Sequence, residues 1–389
     1  MNWIKNHKVD IALMFTSIIV TFIAVDVALY FSRYKYPIFR LNYPRFFSIK
    51  DSENGYDISP NFATSTHFFR DDAFPIWSNN IGCFDRDFNG ESPYIYMAGD
   101  SLTFSFAPFV DTWGSRIEDL SGVRTVKCGV VGYGTKQELI KASRNFERFP
   151  HPDLIVVGYT AYNDFDDDVN FPQHTVYNGY MVRSLTKNGV TDTEAEQKYA
   201  NFWEYCSFNK PSNPIIARVR CFVTNHSVLF NLFKTGLHDK IVSVLPKGLV
   251  AMLENSGVLS KPQNLDGDKT DTEAYGKHLQ NIFGFKKLAQ EKNSKLLFIL
   301  GPYDNSRVIP FLEKEKIPYI DLNPIFDKYK KIKPLIWTRD GHYNIAGNHL
   351  VGLVVSKYTI ENNLVTVADK EGKLTVIDAQ FEKEFGSLL

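Results

Sequence analysis

The sequence predicts an α/β fold in which helices flank a central parallel sheet. The first observation behind this prediction is that short apolar runs alternate with helical segments from residue 94 onward. The second is the length of 389 residues, which allows one large core or two modest ones. The third is the high content of Phe and Tyr, 31 and 20 residues, which suits a large core.

The predicted strands and helices follow one another along the chain. The strands are expected at residues 94–98, 125–131, 153–159, 295–300 and 319–322. The helices are expected at residues 111–120, 135–146, 272–292, 306–316 and 345–357. Thr135 and Glu138 have the spacing of a capping box, which predicts that the second of these helices begins there.

The chain is expected to divide into several segments. They are a tail at residues 1–9, a transmembrane anchor at 10–32, a stalk or lead-in packed on the next domain at 33–91, the α/β domain at 92–360 and a C-terminal extension at 361–389. An insertion at about 165–270, with apolar helices near 215–233 and 240–253, either covers the site or decorates the surface. The extension contains an alternating apolar pattern that predicts a hairpin.

The N-terminal apolar stretch is long enough to cross a bilayer. Residues 11–31 are nearly all apolar, with the single charge of Asp26 near the end, and about twenty such residues suffice. A cleavable signal peptide is the alternative, but its apolar part is usually shorter and ends at a small-residue site. Basic residues flank both ends, and a short tail normally stays inside, so we expect an extracytoplasmic domain.

Composition limits the classes of partner and cofactor. Lys and Arg balance Asp and Glu at 44 each, so no strongly basic surface indicates nucleic-acid binding. The cysteines form no C-x-x-C pair, which argues against a zinc or thioredoxin-like site. Cys206 and Cys221 are close enough to bridge in an oxidising compartment, and four free thiols are the alternative. No cofactor or metal is expected.

The sharpest local motif is Gly99-Asp100-Ser101, directly after the first predicted strand. The carboxyl end of a parallel strand is where α/β sheets place their ligands. Gly99 permits a tight turn, and a helix after the turn would direct its amides at the site. The motif predicts that Ser101 is a nucleophile, although an ordinary N-cap serine has the same local pattern.

Two further motifs follow the next strands. Gly129, Gly132 and Gly134 lie in one loop, where glycine lets a backbone amide approach a reacting atom. A dinucleotide loop would instead read G-x-G-x-x-G after the first strand, which this chain lacks. Asn163, in an Asn-Asp pair after the third strand, can donate a hydrogen bond to a developing oxyanion.

Asp340 and His342 precede the last predicted helix. A serine nucleophile needs a base, and the base needs an acceptor that orients it. Asp340 can orient one imidazole nitrogen of His342 while the other faces Ser101. The metal-site alternative lacks further ligands nearby in the sequence. The four motifs occur in a chain order that is hard to obtain by chance.

These four blocks resemble the SGNH (GDSL-like) hydrolase superfamily, on Ser101, Gly132, Asn163, and His342 with Asp340. The resemblance covers roughly residues 92–358 apart from the insertion. It implies a three-layer α/β/α flavodoxin-like SGNH fold and a serine esterase acting on O-acyl esters, with acetyl esters of an extracytoplasmic glycan or lipid as substrates. Ser101 would attack the carbonyl, and the Ser101 and Gly132 amides with the Asn163 side chain would form the oxyanion hole.

Two departures from that family keep other functions open. The third block reads Ala161-Tyr162-Asn163-Asp164, where the family usually has G-x-N-D. Asp340 and His342 follow D-x-H spacing, where the family usually has D-x-x-H, and the shorter form is similar to O-acetyltransferase proteins of alginate systems. The alternatives are therefore a polysaccharide O-acetyltransferase with the same triad and a non-catalytic envelope protein that binds glycan.

Overall fold

The described residues of the computed structural model belong to two compact units. The described residues are 7–31, 43–44, 46–69, 72–172, 174–177, 179–183, 227, 272–337 and 341–386. The first unit comprises residues 1–42, 68–73 and 193–263, and its longest described element is a single helix. The second unit comprises residues 43–67, 74–192 and 264–389, and it contains the α/β core.

The regular elements are numbered here in chain order. The strands are β1 Ser48–Asp51, β2 Gly55–Ile58, β3 Ser65–Phe69, β4 Asp72–Ile76, β5 Tyr94–Gly99, β6 Arg124–Lys127, β7 Leu154–Tyr159, β8 His174–Tyr177, β9 Tyr180–Arg183, β10 Lys295–Leu300 and β11 Tyr319–Asp321. The helices are α1 Lys8–Phe31, α2 Ser101–Phe104, α3 Trp113–Ser121, α4 Thr135–Arg148, α5 Asp164–Val169, α6 Thr272–Glu291, α7 Ile309–Lys314, α8 Asn323–Tyr329, α9 Ile345–Glu361 and α10 Lys370–Phe385.

A five-stranded parallel sheet forms the centre of the second unit. Its strand order is β11-β10-β7-β5-β6, and each neighbouring pair is parallel. Numbered along the chain within this sheet, that order is the 2-1-3-4-5 order of flavodoxin-like folds. Such sheets bind ligands at the carboxyl edge where the order reverses, which here lies between β5 and β7.

Helices cover both faces of this sheet. Side chains alternate between the faces along a strand. Ile95 and Met97 of β5 belong to a buried apolar cluster shared with α3, α8, α9 and α10. The alternate residues Tyr94 and Tyr96 belong to a second cluster shared with α4, α6 and α7. The predicted three-layer α/β arrangement with a central parallel sheet is therefore confirmed.

Most of the predicted core elements are confirmed, with differences at their ends. The strand predicted at 295–300 has the same bounds as β10, whereas the strand predicted at 125–131 ends at Lys127. The chain then turns over α2, where a Cβ on Gly129 would lie 2.4 Å from the backbone nitrogen of Phe104. The helix predicted at 306–316 shortens to α7, whose first turn contains Pro310.

The predicted capping box at Thr135 is wrong. Gly134 is the N-cap of α4, and its backbone N–H donates to the side-chain oxygen of Gln137 at 3.2 Å. Glu138 is instead 2 % exposed and lies within the second unit's interior. The N-cap lies one residue earlier than predicted. Gln137 accepts the hydrogen bond from the N-cap N–H that Glu138 was expected to accept.

The segment between the predicted anchor and the core has more regular structure than its sequence indicated. In its described part, β1 pairs with β2 and β3 with β4 as two short two-stranded sheets. We call residues 43–67 and 74–91 the lead-in segment. It packs on α4 through ion pairs of Lys141 with Asp57 and of Arg144 with Asp51.

The hairpin predicted in the C-terminal extension is wrong. Residues 370–385 form α10, with Asp369 accepting a hydrogen bond from the Gly372 N–H at its start. Ile377, Phe381 and Phe385 are buried against the first face of the sheet. Their spacing of four residues is helical, and this longer pattern outweighs the short alternation that suggested strands.

The N-terminal helix and the insertion are described in part. The predicted anchor at residues 10–32 coincides with α1, which is helical over Lys8–Phe31. Within the ranges that the structure describes, no helix has the length and apolarity needed to span a membrane, so the transmembrane part of the prediction is not supported. Of the insertion, α5 and the β8–β9 hairpin are described, and the helices predicted at 215–233 and 240–253 lie outside the described residues except for Ser227.

Cys83 and Cys128 form a disulfide, with their Cα atoms 4.6 Å apart. The bond joins the lead-in segment to the loop that follows β6. The alternative of four free thiols is therefore wrong. The sequence pointed to Cys206 and Cys221 because they are closer in the chain, but these two residues lie outside the described part.

Candidate active site

The turn after β5 places Ser101 at the carboxyl edge of the sheet, beside the point where the strand order reverses. Gly99 has a φ of +153°, and a Cβ there would lie 2.0 Å from the Thr103 hydroxyl, so only glycine fits. Asp100 then caps α2, since its carboxylate accepts from the Leu102 N–H at 2.9 Å. Ser101 begins this short helix and is 9 % exposed.

The fully buried carboxyl of Asp100 is the centre around which the site forms. The Ser101 hydroxyl donates to it at 3.3 Å and the Thr160 hydroxyl at 3.0 Å. Burial raises the pKa of Asp100, while the nearby charge of His342 and a hydrogen bond from Asn163 lower it. Ser101, Asn163 and His342, from three separate segments, therefore all lie around one carboxyl.

His342 lies in the loop before α9 and is half-buried. Its ring packs edge-on against Phe106, with ring centroids 4.5 Å apart. The loop is fixed on both sides, because the Trp337 N–H donates to the His342 carbonyl at 3.0 Å and the Tyr303 hydroxyl donates to the Gly341 carbonyl at 2.8 Å. Asp340 lies outside the described residues, so its role as the orienting acceptor stays a prediction.

Gly132 occupies the loop after β6 with a φ of +76°, a conformation that favours glycine. The lead-in segment holds this loop: the Tyr56 hydroxyl donates to the Val131 carbonyl, and the Tyr133 hydroxyl donates to the Tyr56 carbonyl at 2.7 Å. A Cβ on Gly132 would lie 3.1 Å from the Tyr56 hydroxyl. The predicted amide donor is thus in a half-buried, tightly held loop.

Asn163 follows β7 and is the N-cap residue of α5. Its side-chain amide donates to Asp167 at 2.7 Å, one turn further along the helix, which fixes the amide plane. The turn before it closes through a bond from the Asn163 N–H to the Thr160 carbonyl at 3.1 Å. Ala161 is not among the described residues with positive φ, so the turn forms without the glycine usual in the SGNH family.

Three further carboxyls lie buried near Asp100, and sequence reasoning assigned none of them to the site. They are Glu138, Asp164 and Asp167. Burial, together with mutual repulsion, raises the pKa of Glu138 and of Asp164 well above the ordinary values. Burial raises the pKa of Asp167 to about 8. The acidic run of α5 was the available signal, but the sequence predicted no helix at this position.

Asp168 joins the two loops that carry the predicted oxyanion donors. It accepts from the Lys136 N–H at 2.8 Å, at the start of α4, and from the ring of His278 at 2.7 Å. Asn281 donates to it at 2.8 Å, and the other ring nitrogen of His278 lies 3.0 Å from the Tyr159 hydroxyl. His278 is fully buried in α6 and belongs to no motif, so this connection could not be predicted from local sequence patterns.

The arrangement brings together the groups that acyl transfer needs. A serine hydroxyl, an imidazole, a side-chain amide and a glycine loop lie at the carboxyl edge of β5, β6 and β7. Across the described ranges, no group of three or more His, Cys, Asp or Glu side chains is arranged to hold a metal ion. Ser101 and Asn163 therefore hydrogen-bond the Asp100 carboxyl, the charge of His342 acts on it, and Gly132 lies in the loop after the neighbouring strand β6.

Comparison with known proteins gives distant structural likenesses. No family model matches the sequence, and no curated protein matches it. A solved structure of a proposed lipolytic protein of the G-D-S-L family from Desulfitobacterium hafniense has 10 % identity and a TM-score of 0.33, over 68 % of this chain and 99 % of that chain. A proposed acylhydrolase from Bacteroides fragilis has 12 % identity and a TM-score of 0.32, over 72 % and 90 %. At these identities and TM-scores the likeness does not establish a shared family.

The buried carboxyl of Asp167 gives a pH-dependent prediction. Its pKa is raised by burial from 3.8 to about 8, so between these values the folded protein keeps a proton that the unfolded chain releases. The free energy of unfolding therefore falls as pH rises through this window and levels off above it. Asp167→Asn removes this proton uptake, so we expect a shallower fall, by up to roughly 1.4 kcal/mol per pH unit.

Urea unfolding at several pH values inside this window measures the slope. Asp119→Asn, at an exposed carboxyl of α3, is the matched control and should keep the wild-type slope. Parallel profiles for wild type and Asp167→Asn would contradict the assignment of a retained proton to Asp167.

Proposed function

We propose that this chain is a serine esterase of the SGNH type that hydrolyses O-acyl esters through an acyl-enzyme. The observation that carries the proposal is that Ser101 and Asn163 hydrogen-bond the buried Asp100 carboxyl while the charge of His342, from a third segment, acts on the same group. This convergence occurs where the strand order reverses, which is the position that flavodoxin-like sheets use for ligands. The motif resemblance to SGNH hydrolases names the same residues.

In the first step the Ser101 oxygen attacks the ester carbonyl while His342 takes its proton. The bond from Ser101 to Asp100 is long, at 3.3 Å, so the hydroxyl can rotate toward the imidazole at little cost. Asp340 is proposed to orient His342. The tetrahedral intermediate then collapses, the carbon–oxygen bond to the alcohol breaks, and His342 returns the proton to the leaving alcohol.

In the second step water attacks the acyl-enzyme and His342 accepts a proton from it. The carboxylic acid leaves, and Ser101 regains its proton. In both steps the negative oxygen is proposed to accept hydrogen bonds from the Ser101 and Gly132 amides and the Asn163 side chain. The bond of Asn163 to Asp167 at 2.7 Å holds one N–H of the amide, and the other N–H, which donates to Asp100, is the one proposed to turn to the negative oxygen.

A saccharide hydroxyl in place of water would convert the same acyl-enzyme into an O-acetyltransferase. The D-x-H spacing of Asp340 and His342 favours this second candidate. Both candidates need the same nucleophile, and identification of the product, free acid or acylated saccharide, separates them. Acetyl esters are proposed as substrates for both.

The compartment is proposed to be extracytoplasmic. The Cys83–Cys128 disulfide supports this location, because such bonds persist in oxidising compartments and are rare in the cytosol. We therefore expect that protein taken from cells with its free thiols blocked at once will yield the Cys83–Cys128 pair as a linked peptide. Mass spectrometry of the unreduced digest measures this, and finding both residues alkylated would contradict the location.

Ser101→Ala should abolish ester hydrolysis, because it removes the oxygen that is proposed to form the acyl-enzyme. We expect at least roughly a thousandfold loss of kcat for 4-nitrophenyl acetate. Ser143→Ala, on α4, is the matched control with the same chemical change, and it should keep the wild-type rate. A Ser101→Ala protein that folds, by circular dichroism, and still hydrolyses the ester would refute the nucleophile.

Asn163→Ala should lower kcat by on the order of a hundredfold with little change in KM, because an oxyanion donor acts mainly in the transition state. Asn170→Ala, at the other end of α5, removes an amide from the same helix and is the control. Steady-state kinetics of both variants on one ester give kcat and KM separately. A change confined to KM would show that Asn163 binds substrate and does not stabilise the oxyanion.

A further inference from the structure

Two tyrosines stack on each other at the edge of the site. Tyr162 follows β7 and directly precedes Asn163, and its side chain is 54 % exposed. Tyr303 follows β10, and the two ring centroids are 5.5 Å apart with an angle of 29° between the ring planes. Both residues therefore lie at the carboxyl edge of the sheet, on the side where Ser101 is found.

The contacts of Tyr303 make the pair rigid. Its hydroxyl donates to the Gly341 carbonyl at 2.8 Å, in the residue next to His342. Its carbonyl accepts a hydrogen bond from the side chain of Asn323, which also donates to Asp321 at 3.1 Å. The pair thus connects the segment that carries Asn163 with the segment that carries His342, so a substrate reaching both residues passes beside it.

The chemistry of the pair matches a sugar ring better than an acyl chain. A half-exposed, fixed aromatic ring offers a flat face, and the axial C–H groups of a pyranose pack well on such a face. The neighbours of the pair in sequence, Asn163 and Asp304, carry hydrogen-bonding groups that suit sugar hydroxyls. A sugar ring would present hydroxyls to both side chains, whereas an aliphatic chain would form no hydrogen bond with them.

We propose that Tyr162 and Tyr303 form a stacking platform for a pyranose ring, so that the alcohol part of the ester substrate is a saccharide. The proposal rests on the proposed function, because it places the sugar beside the acyl-transfer site. The oxygen that leaves from the tetrahedral intermediate would then be a sugar hydroxyl.

Tyr162→Ala tests the platform through substrate preference. The substrates are acetylated tetrasaccharides of xylose, glucose, N-acetylglucosamine and mannuronate, with ethyl acetate as the ester that lacks a ring and ethyl octanoate as the ester with a longer acyl chain. We expect a loss of about tenfold in kcat/KM on at least one tetrasaccharide, mainly through KM, and less than about twofold on ethyl acetate. Tyr162→Phe keeps the ring and should keep the preference.

Tyr319→Ala is the matched control, since Tyr319 begins β11 at the opposite edge of the sheet. An unchanged ratio of saccharide ester to ethyl acetate for all four tetrasaccharides would overturn the platform. A loss on ethyl octanoate alone would assign the pair to the acyl chain and would also overturn it.

Binding to an inactive protein separates this proposal from the proposed function. Calorimetry with Ser101→Ala and the unacetylated tetrasaccharides should show binding of at least one of them, weakened by about tenfold when Tyr162→Ala is added. If Ser101→Ala keeps its esterase activity, the proposed function fails while this binding test still decides the platform. Absence of binding to all four overturns the platform whatever the outcome for Ser101.

Discussion

The site depends on the burial of one carboxyl, that of Asp100. A buried carboxylate is costly unless hydrogen bonds and opposite charge compensate it, and here the Leu102 N–H at 2.9 Å and the Thr160 hydroxyl at 3.0 Å offset part of that cost. A hydrogen bond from Asn163 and the charge of His342 also lower the pKa of Asp100. The need to satisfy this group therefore draws together segments that are far apart in the chain.

Further hydrogen bonds hold the loops that surround Asp100. Asp168 connects the start of α4 to α5 and to His278 of α6, and the lead-in segment holds the Gly132 loop through Tyr56. Asp167, also on α5, is buried and has its pKa raised to about 8, so it contributes to this geometry at a cost in stability as pH rises. Precise placement of donors is what oxyanion stabilisation requires, so this packing supports the proposed chemistry.

The sequence predicted the parts of the molecule that local patterns encode. The apolar run at 295–300 became β10 with the same bounds, and the G-D-S turn lies where its strand predicted. Contacts between distant segments could not be read this way: the pairing of Cys83 with Cys128 and the contact of Asp168 with His278 span 45 and 110 residues. Two local patterns led to wrong predictions. Glu138 of the predicted capping box is buried in the interior, and the predicted C-terminal hairpin is the helix α10, which packs on the sheet.

The proposed mechanism requires that a hydroxyl, an imidazole and an amide from separate segments act on a single reacting carbon. A crystal structure of the protein after reaction with a fluorophosphonate tests this most directly, because the phosphorus mimics the tetrahedral intermediate. We predict a covalent bond from phosphorus to Ser101, with the phosphoryl oxygen at hydrogen-bond distance from the Gly132 N–H and the Asn163 side chain, and the His342 ring beside the remaining ester oxygen. Phosphorus bound to another residue, or a His342 ring turned away from the adduct, would contradict the account.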